Sequence, residues 1–289
     1  PVEPREAARL LHLRHDLRDR RVADLADLVD ERDLLVVNDT KVIPARLLGR
    51  RGAARVELLL HEPLGDERWR AFAKPARKLK ANDTVEVAPG FHALVIDTLG
   101  GGEVELRLVA EDDLEAALET HGLMPLPPYI KRGERGDPAD RHDYQTIFAA
   151  RPGAVAAPTA SLHLTDGLMA AITARGAGVA RLTLHVGAGT FLPVRSETIE
   201  AHEMHREWTE VPEATVEAIA ATRRRGGRVI AIGTTAVRAI ETAARAHPER
   251  AARREVGPFV GDTRLFLYPG VPLHVIDAML TNFHLPRST

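Results

Sequence analysis

The pattern of apolar and polar positions is clearest in the second half of the chain. Ala180, Leu182, Leu184 and Val186 alternate with Arg181, Thr183 and His185, which predicts a strand with one buried face. The strand stops at Gly187-Ala-Gly189, where two glycines permit positive φ and close approach of another molecule. Thr190 and Phe191 follow, and then His202, Met204, His205 and Glu207 form a dense titratable cluster. Earlier, VADLADLVD (22–30) predicts a short amphipathic helix with Leu25, Leu28 and Val29 inward. Leu34-Leu-Val-Val37 predicts a buried strand ending on Asn38-Asp39-Thr40.

From Arg55 the texture changes to five short runs: RVELLLH, WRAFAK, TVEVA, FHALVIDTL and EVELRLV. Turn residues separate them and little helical periodicity intervenes, so they predict a small antiparallel barrel. Met124-Pro-Leu-Pro-Pro-Tyr129 is a proline-stiffened connector into a polar stretch. After Tyr144 the α/β pattern returns, with a helix that Thr165 caps and Gly176 ends. A helix over 212–225, a buried strand over 228–232 and a helix holding Val237, Ile240 and Ala244 follow. Arg264–Tyr268 and Leu273–Ile276 are expected to add strands.

Composition narrows the function classes. A chain of 289 residues, 44% hydrophobic and 28% charged, has room for two globular domains. Its apolar runs are too short to cross a bilayer, so no membrane partner is expected, and its first residues carry no signal-peptide pattern. The absence of cysteine excludes disulfides, thiolate catalysis and cysteine-ligated metal, which fits a cytoplasmic protein. A formal net charge of −2 gives no global drive toward nucleic acid, so any RNA binding needs a local basic patch.

Each candidate site has a plain structural alternative. Gly187-Ala-Gly189 fits a tight turn as well as a ligand loop, and His185 fits a partly buried core histidine as well as a catalyst. Asn38-Asp39 fits a turn that bonds its own backbone, or a carboxylate presented at a strand end. The run Lys74-Pro-Ala-Arg77-Lys78-Leu-Lys80 fits a solvated hairpin or phosphate contacts. Tyr129 and Tyr144 fit base stacking or packing. Arg223-Arg-Arg225 occupies the last turn of a helix, where cations complement the dipole. Gly233-Thr234-Thr235 joins a strand to a helix N-terminus and forms an anion-ready corner. HEMHRE lacks the HExxH order of a zinc site, and no GxGxxG fingerprint is present.

Nine blocks occur in order: VVNDTKVIPARL, PARKLK, MPLPPYIKR, YQTIFA, PGAVAAPTASLH, TLHVGAGTF, HEMHREW, AIGTTAVRAIE and TNFHLPRST. Across nearly the whole chain this resembles the S-adenosylmethionine:tRNA ribosyltransferase-isomerase family of queuosine biosynthesis. The resemblance implies an α/β fold: a barrel-like α/β major domain over residues 1–50 and 130–289, with a small antiparallel β-barrel inserted over 51–129. It implies a transferase-isomerase that moves the ribosyl moiety of S-adenosylmethionine onto the 7-aminomethyl-7-deazaguanine wobble base of tRNA. Epoxyqueuosine is the product, and adenine and methionine leave. S-adenosylmethionine is then a substrate, tRNA the partner, a monomer the expected state, and no metal is called for.

That reaction needs groups that move protons near neutral pH. Asp39, His163, His185, His205 and Glu207 are the catalytic candidates. Asn38, Thr159, Thr183, Gly187, Gly189, Thr190, Phe191, Gly233, Thr234, Thr235 and Asn282 are candidates for holding the adenosyl group, with Arg238 and His284 for a carboxylate or phosphate. Lys74, Arg77, Lys78, Lys131 and Arg132 are the tRNA-binding candidates. Ser161 stands where the family pattern has glycine and Leu164 where it has phenylalanine, while Val271 and Leu273 replace aromatics. The family pattern also implies a leader before Pro1 and an apolar tail after Thr289. Two rival readings are an ordinary methyltransferase and a non-catalytic RNA-binding module. The methyltransferase is disfavoured by the missing glycine-rich loop and acidic ribose ligand, the binding module by the polar cluster around 183–207.

Overall fold

The computed structural model describes residues 2–127, 129–191, 198–199, 202 and 204–284, without the side chains of residues 190 and 191. The chain packs as two compact units. One comprises Pro1–Lys41, Gln145–Gly153 and Ala157–Thr289; the other comprises Val42–Tyr144 with Ala154–Ala156.

The first unit opens with a hairpin of β1 (Arg9–Leu13) and β2 (Leu17–Arg21). Val22–Leu28 forms the expected short helix, with 3₁₀ geometry. Its apolar residues Val22, Leu25 and Leu28 recur every third position, which matches three residues per turn. Next come β3 (Leu34–Asn38), every residue of which is buried, and β4 (Thr40–Val42).

The second unit is a closed six-stranded antiparallel barrel. Its strands are β5 (Arg46–Arg51), β6 (Ala54–Gly65), β7 (Arg68–Lys74), β8 (Thr84–Ala88), β9 (Phe91–Gly100) and β10 (Glu103–Ala110), arranged β10-β7-β6-β5-β8-β9. Alternate residues such as Val56, Leu58, Leu60, Val104, Leu106 and Leu108 fill the interior. The five expected strands are all present. A sixth, β5, begins before the insert's expected start at residue 51, because only Leu47 on it is buried and charged or small residues hide its periodicity. After the barrel come α1 (Leu114–His121), capped by the Asp113 carboxylate, and the single turn α2 (Asp140–Asp143).

Further along the chain come β11 (Arg151–Ala154), α3 (Asp166–Ala174), β12 (Gly178–Leu184) and β13 (Glu207–Val211). Then follow α4 (Glu213–Arg224), β14 (Val229–Ile232), α5 (Thr234–Ala246), the turn α6 (Pro248–Ala251), β15 (Phe259–Thr263) and β16 (Ala278–Leu280). Thr165 caps α3 by accepting from Leu168 N. The sheet runs β15-β13-β12-β3-β14-β16 and is open, with β15 and β16 as its edges. β12, β3, β14 and β16 are parallel, while β13 and β15 are antiparallel. Leu35, Val37, Ile230 and Ile232 join one core with α3 and the 3₁₀ helix, and α4 and α5 pack on β12 from the other side. A sheet covered on both faces explains why β3 and β14 read as unbroken apolar runs.

Two expected strands are absent. Arg264–Tyr268 and Leu273–Ile276 run as irregular chain. Glu241, fully buried on α5, accepts hydrogen bonds from the N–H groups of His274, Val275 and Ile276, so these donors go to a carboxylate instead of a ladder. The arginines at the end of α4 are structural: Arg223 binds Asp277 and the carbonyls of Gly227, Arg254 and Val275, and Arg225 binds the Arg32 carbonyl.

At the amino end of the parallel strands, buried Asp33 accepts from Asp30 N, Arg228 N and the Arg228 guanidinium. Burial opposes ionisation of Asp33, yet the hydrogen bonds from Arg228 and Asp30 outweigh it and hold the carboxyl below its ordinary value. Asp33→Ala should destabilise the protein by about 3 kcal/mol in urea unfolding, the cost of breaking a buried pair. Because folding favours the carboxylate, this stabilisation is complete above about pH 4 and is lost as pH falls through the lowered folded value. The variant should therefore lose less stability than the parent on acidification.

Candidate active site

Topology gathers the polar candidates at one edge of the first unit. The parallel strands β3, β12, β14 and β16 end on Asn38, Leu184, Ile232 and Leu280. β13 begins there with Glu207, and β15 ends there with Thr263, its ladder partner. Ligands in open α/β sheets bind outside the carboxyl ends of such strands.

Asn38 is fully buried and secures that edge. Its Oδ1 accepts from Thr40 N and Leu184 N, and its Nδ2 donates to Leu184 O at 2.9 Å and Thr235 Oγ1 at 3.3 Å. Expected as a ligand contact, it is thus fully engaged as a pin between β3, β12 and the start of α5.

His185, one residue past β12, sits in a fixed nest. Its Nδ1 lies 2.8 Å from Thr40 Oγ1, and its ring stacks on Trp208 at 5.1 Å. Gly153 faces the imidazole so closely that a Cβ there would approach its atoms to 2.8 Å, so only glycine fits. The Arg151 guanidinium lies 5.2 Å from the Trp208 ring centre, donates to Glu210 Oε2 at 2.6 Å and reaches Thr183 Oγ1 at 3.4 Å. Thr183 in turn donates to Asp39 Oδ1 at 2.6 Å, which explains its burial on the polar side of β12. Burial and the neighbouring Arg151 push the His185 pKa down, with Asp39 opposing them, so the imidazole is neutral at pH 7.

A second cluster lines a cavity of about 460 Å³. Glu207 is buried, accepts from Gly187 N at 2.9 Å, and pairs with Arg238 on α5. Arg238 also donates through Nε to Leu265 O, while its buried Nη2 has no partner among the described residues. That unmet guanidinium N–H belongs to a residue lining the cavity, beside Thr234 at the helix N-terminus. Phe266, Tyr268, Leu273 and Met279 supply apolar walls, and His205 and His284 stand at the lining as well. The exposed His205 ring covers Gly189, where a Cβ would come within 2.3 Å of it. His163 Nε2 meets Asn282 Oδ1 at 3.0 Å, joining the 3₁₀ turn Thr159–His163 to the segment after β16. Gly233 takes φ +89, and a Cβ built there would meet Ala160 of that turn at 3.7 Å.

Asp39, Thr183 and His185 are therefore brought together, as are Gly187, Glu207 and Arg238, and His163 and Asn282. The side chains of Thr190 and Phe191 lie outside the described residues, as does Glu203 of HEMHRE. The tRNA candidates Lys74, Arg77, Lys78, Lys131 and Arg132 all lie in the barrel unit. Arg132 is bound bidentately to buried Asp140, which raises its pKa through that hydrogen bond and charge. Arg151, Gly153, Thr40, Trp208, Phe266 and Tyr268 had not been singled out as site residues. Thr40, Gly153 and Trp208 lie inside the quoted blocks, but only the fold shows that they surround one imidazole.

An α/β unit that brings the His185 nest to the same sheet edge as a buried Glu–Arg pair lining a cavity has the groups of an acid–base enzyme. Sequence comparison gives the particular family. The profile described as queuosine biosynthesis protein matches residues 1–289. An S-adenosylmethionine:tRNA ribosyltransferase-isomerase of Methylocella silvestris is 50% identical, covering 100% of this chain and 82% of that protein. Its namesake from Rhodospirillum rubrum is also 50% identical over 100% of this chain and 82% of its own length. A solved S-adenosylmethionine tRNA ribosyltransferase from Thermotoga maritima is 31% identical, covering 100% of this chain and 81% of that one with a TM-score of 0.48. The chain belongs to the queuosine biosynthesis protein family.

The His185 nest makes a testable pH statement. Because folding disfavours the imidazolium, the unfolded chain takes up the proton first as pH falls. Stability is unaffected above the ordinary histidine value of about 6.5 and declines as pH drops from there toward the lowered folded value. Arg151→Met should raise the His185 midpoint in an NMR titration and reduce that acid loss. An unchanged midpoint would mean that Arg151 does not bias the ring.

Proposed function

We propose that this chain transfers and isomerises the ribosyl moiety of S-adenosylmethionine onto the 7-aminomethyl-7-deazaguanine wobble base of tRNA. The products are epoxyqueuosine in tRNA, adenine, methionine and one proton. The observation that carries the reading is the convergence of neutral His185 and the Glu207–Arg238 pair at the carboxyl edge of the sheet.

The chemistry makes specific demands on that edge. The positive sulfonium acidifies the ribose 5′ hydrogens, and a neutral imidazole held by Thr40 and Trp208 suits their removal. Departing adenine needs a proton or a hydrogen bond, which His163 with Asn282, or exposed His205, can supply. The amine of the base must attack in its neutral form. An alkoxide from the sugar then closes the epoxide as the C–S bond breaks and methionine leaves with its methyl group. The cavity pairs apolar and aromatic walls with the unmet N–H of Arg238, a combination suited to the methionyl chain and its carboxylate.

The fate of the sulfonium substrate tests this directly. Incubated with precursor tRNA, the protein should release adenine and methionine in step with modification. Release of S-adenosylhomocysteine instead would make it a methyltransferase. His185→Ala should slow adenine release by about 10²-fold or more while leaving the circular dichroism unchanged. Arg238→Lys retains the charge facing Glu207 but loses the planar fork, and should raise KM for S-adenosylmethionine about tenfold with KM for tRNA unchanged.

A further inference from the structure

The barrel unit contains a second cavity, a cleft of about 830 Å³, that the chemistry above does not use. It lies among β5, β6, the end of β8 and the segment at Glu134–Arg135, with Lys74 and Pro75 at one end. The charges of this unit sort into two groups. Arg46, Arg51, Arg55, Arg68, Arg70, Arg132 and Arg141 are each paired with a carboxylate. Arg50, Lys74, Arg77, Lys78, Lys80, Arg107, Lys131 and Arg135 have no ion-pair partner among the described residues, and all are exposed.

Arg107 and Lys131 lie outside the cleft, but three of these cations meet within it. Arg50, Lys74 and Arg135 line the cleft itself. Lys74 leads through Pro75 into the one-turn helix Ala76–Lys78, which carries Arg77 and Lys78. Arg135 is placed by its neighbour: the Glu134 carbonyl accepts from Arg46 and its carboxylate from Arg55, so that segment is clamped against the barrel. Of the carboxylates in the cleft, Glu57 and Glu134 are neutralised by these arginines, and only Glu86, across the ladder from Arg50, is unpaired. The cleft therefore keeps a modest positive excess in a chain whose formal net charge is −2. Solubility alone does not require such an arrangement, because a solvated surface intersperses both signs.

We propose that this cleft, through Arg50, Lys74 and Arg135, binds the phosphodiester backbone of the RNA substrate, with Arg77 and Lys78 extending the track. The proposal rests on the reading of tRNA as substrate, and it adds the place and the residues. A row of unpaired cations along a groove matches a polyanion of regularly spaced charges, and neutralising each phosphate releases a counterion. Such contacts position the RNA without reading its sequence.

The test measures binding of unmodified tRNA to the intact protein by fluorescence anisotropy across a salt series, without turnover. Arg50→Ala with Arg135→Ala should weaken tRNA binding about tenfold or more and reduce the slope of log K against log salt by about 1.5. Glu86→Gln, which removes the opposing charge, should tighten binding. Arg68→Ala, a paired barrel arginine outside the cleft, should change neither quantity and controls for folding. An unchanged affinity and salt slope in the double variant would overturn the proposal. So would retained tRNA binding with loss of binding to polyglutamate, which would mark the cleft as a site for acidic protein. Binding that falls as described in the double variant, with no adenine released on turnover by the wild type, would reject ribosyl transfer and leave this inference standing.

Discussion

The carboxyl edge of the sheet depends on the amide of Asn38. It is fully buried, and both lone pairs and both N–H groups are used. Three of these four bonds hold the end of β3 to the end of β12 and to the first turn of α5, and the fourth fixes the turn to Thr40. Several candidate site residues hang from those three points. Thr40, which orients His185, lies two residues beyond Asn38; His185 directly follows Leu184; and Arg238 lies one turn along α5 from Thr235. A buried polar group with every bond made fixes one arrangement, whereas a half-satisfied one would cost more than an apolar residue.

The parallel order of the strands converts that local pin into a site. Because β3, β12, β14 and β16 run the same way, their following loops emerge side by side, and antiparallel β13 returns Glu207 to the same place. Residues from distant parts of the chain then meet within hydrogen-bond distance, as His163 does with Asn282 and Arg238 with Glu207. Glycines allow the final approach. Gly153 and Gly189 lie against the rings of His185 and His205, where any Cβ would collide.

This geometry explains what could be read in the amino-acid order. Strands β3, β12 and β14, helices α3 to α5 and the barrel were legible because their apolar spacing matches their burial. The helix at Val22–Leu28 was legible as well, but not its 3₁₀ type, because spacings of three and four overlap over two turns. The stretches 264–268 and 273–276 look like strands, but Arg238 and Glu241 capture part of their backbone hydrogen bonding. For the site, residue type and block order were enough to nominate His185, Glu207 and Arg238. They could not show that Trp208 and Gly153 enclose the imidazole, because those relations span from 23 to 32 positions and exist only after folding. Nor could they show that Arg132 is committed to Asp140 while Arg50 and Arg135 are not, since charge pairing depends on neighbours in space.

One chemical pair, arginine with a carboxylate, serves different ends in the first unit according to how completely it is satisfied. At the amino edge, Asp33 gathers Arg228 and two backbone donors, and Asp277 gathers Arg223, Arg254 and Val229 N. Those carboxylates are saturated and act as clamps. Glu241 is likewise consumed, by Arg245 and three backbone N–H groups. Glu207 and Arg238 differ: the pair is as buried as the clamps, yet one guanidinium nitrogen has no partner among the described residues, and Arg238 lines a cavity. Leaving a buried donor unmet costs on the order of 1–3 kcal/mol. Among the described residues of the first unit the clamp pairs have their bonds made, so an open donor on a cavity-lining arginine marks Glu207–Arg238 as a candidate binding group rather than a structural salt bridge.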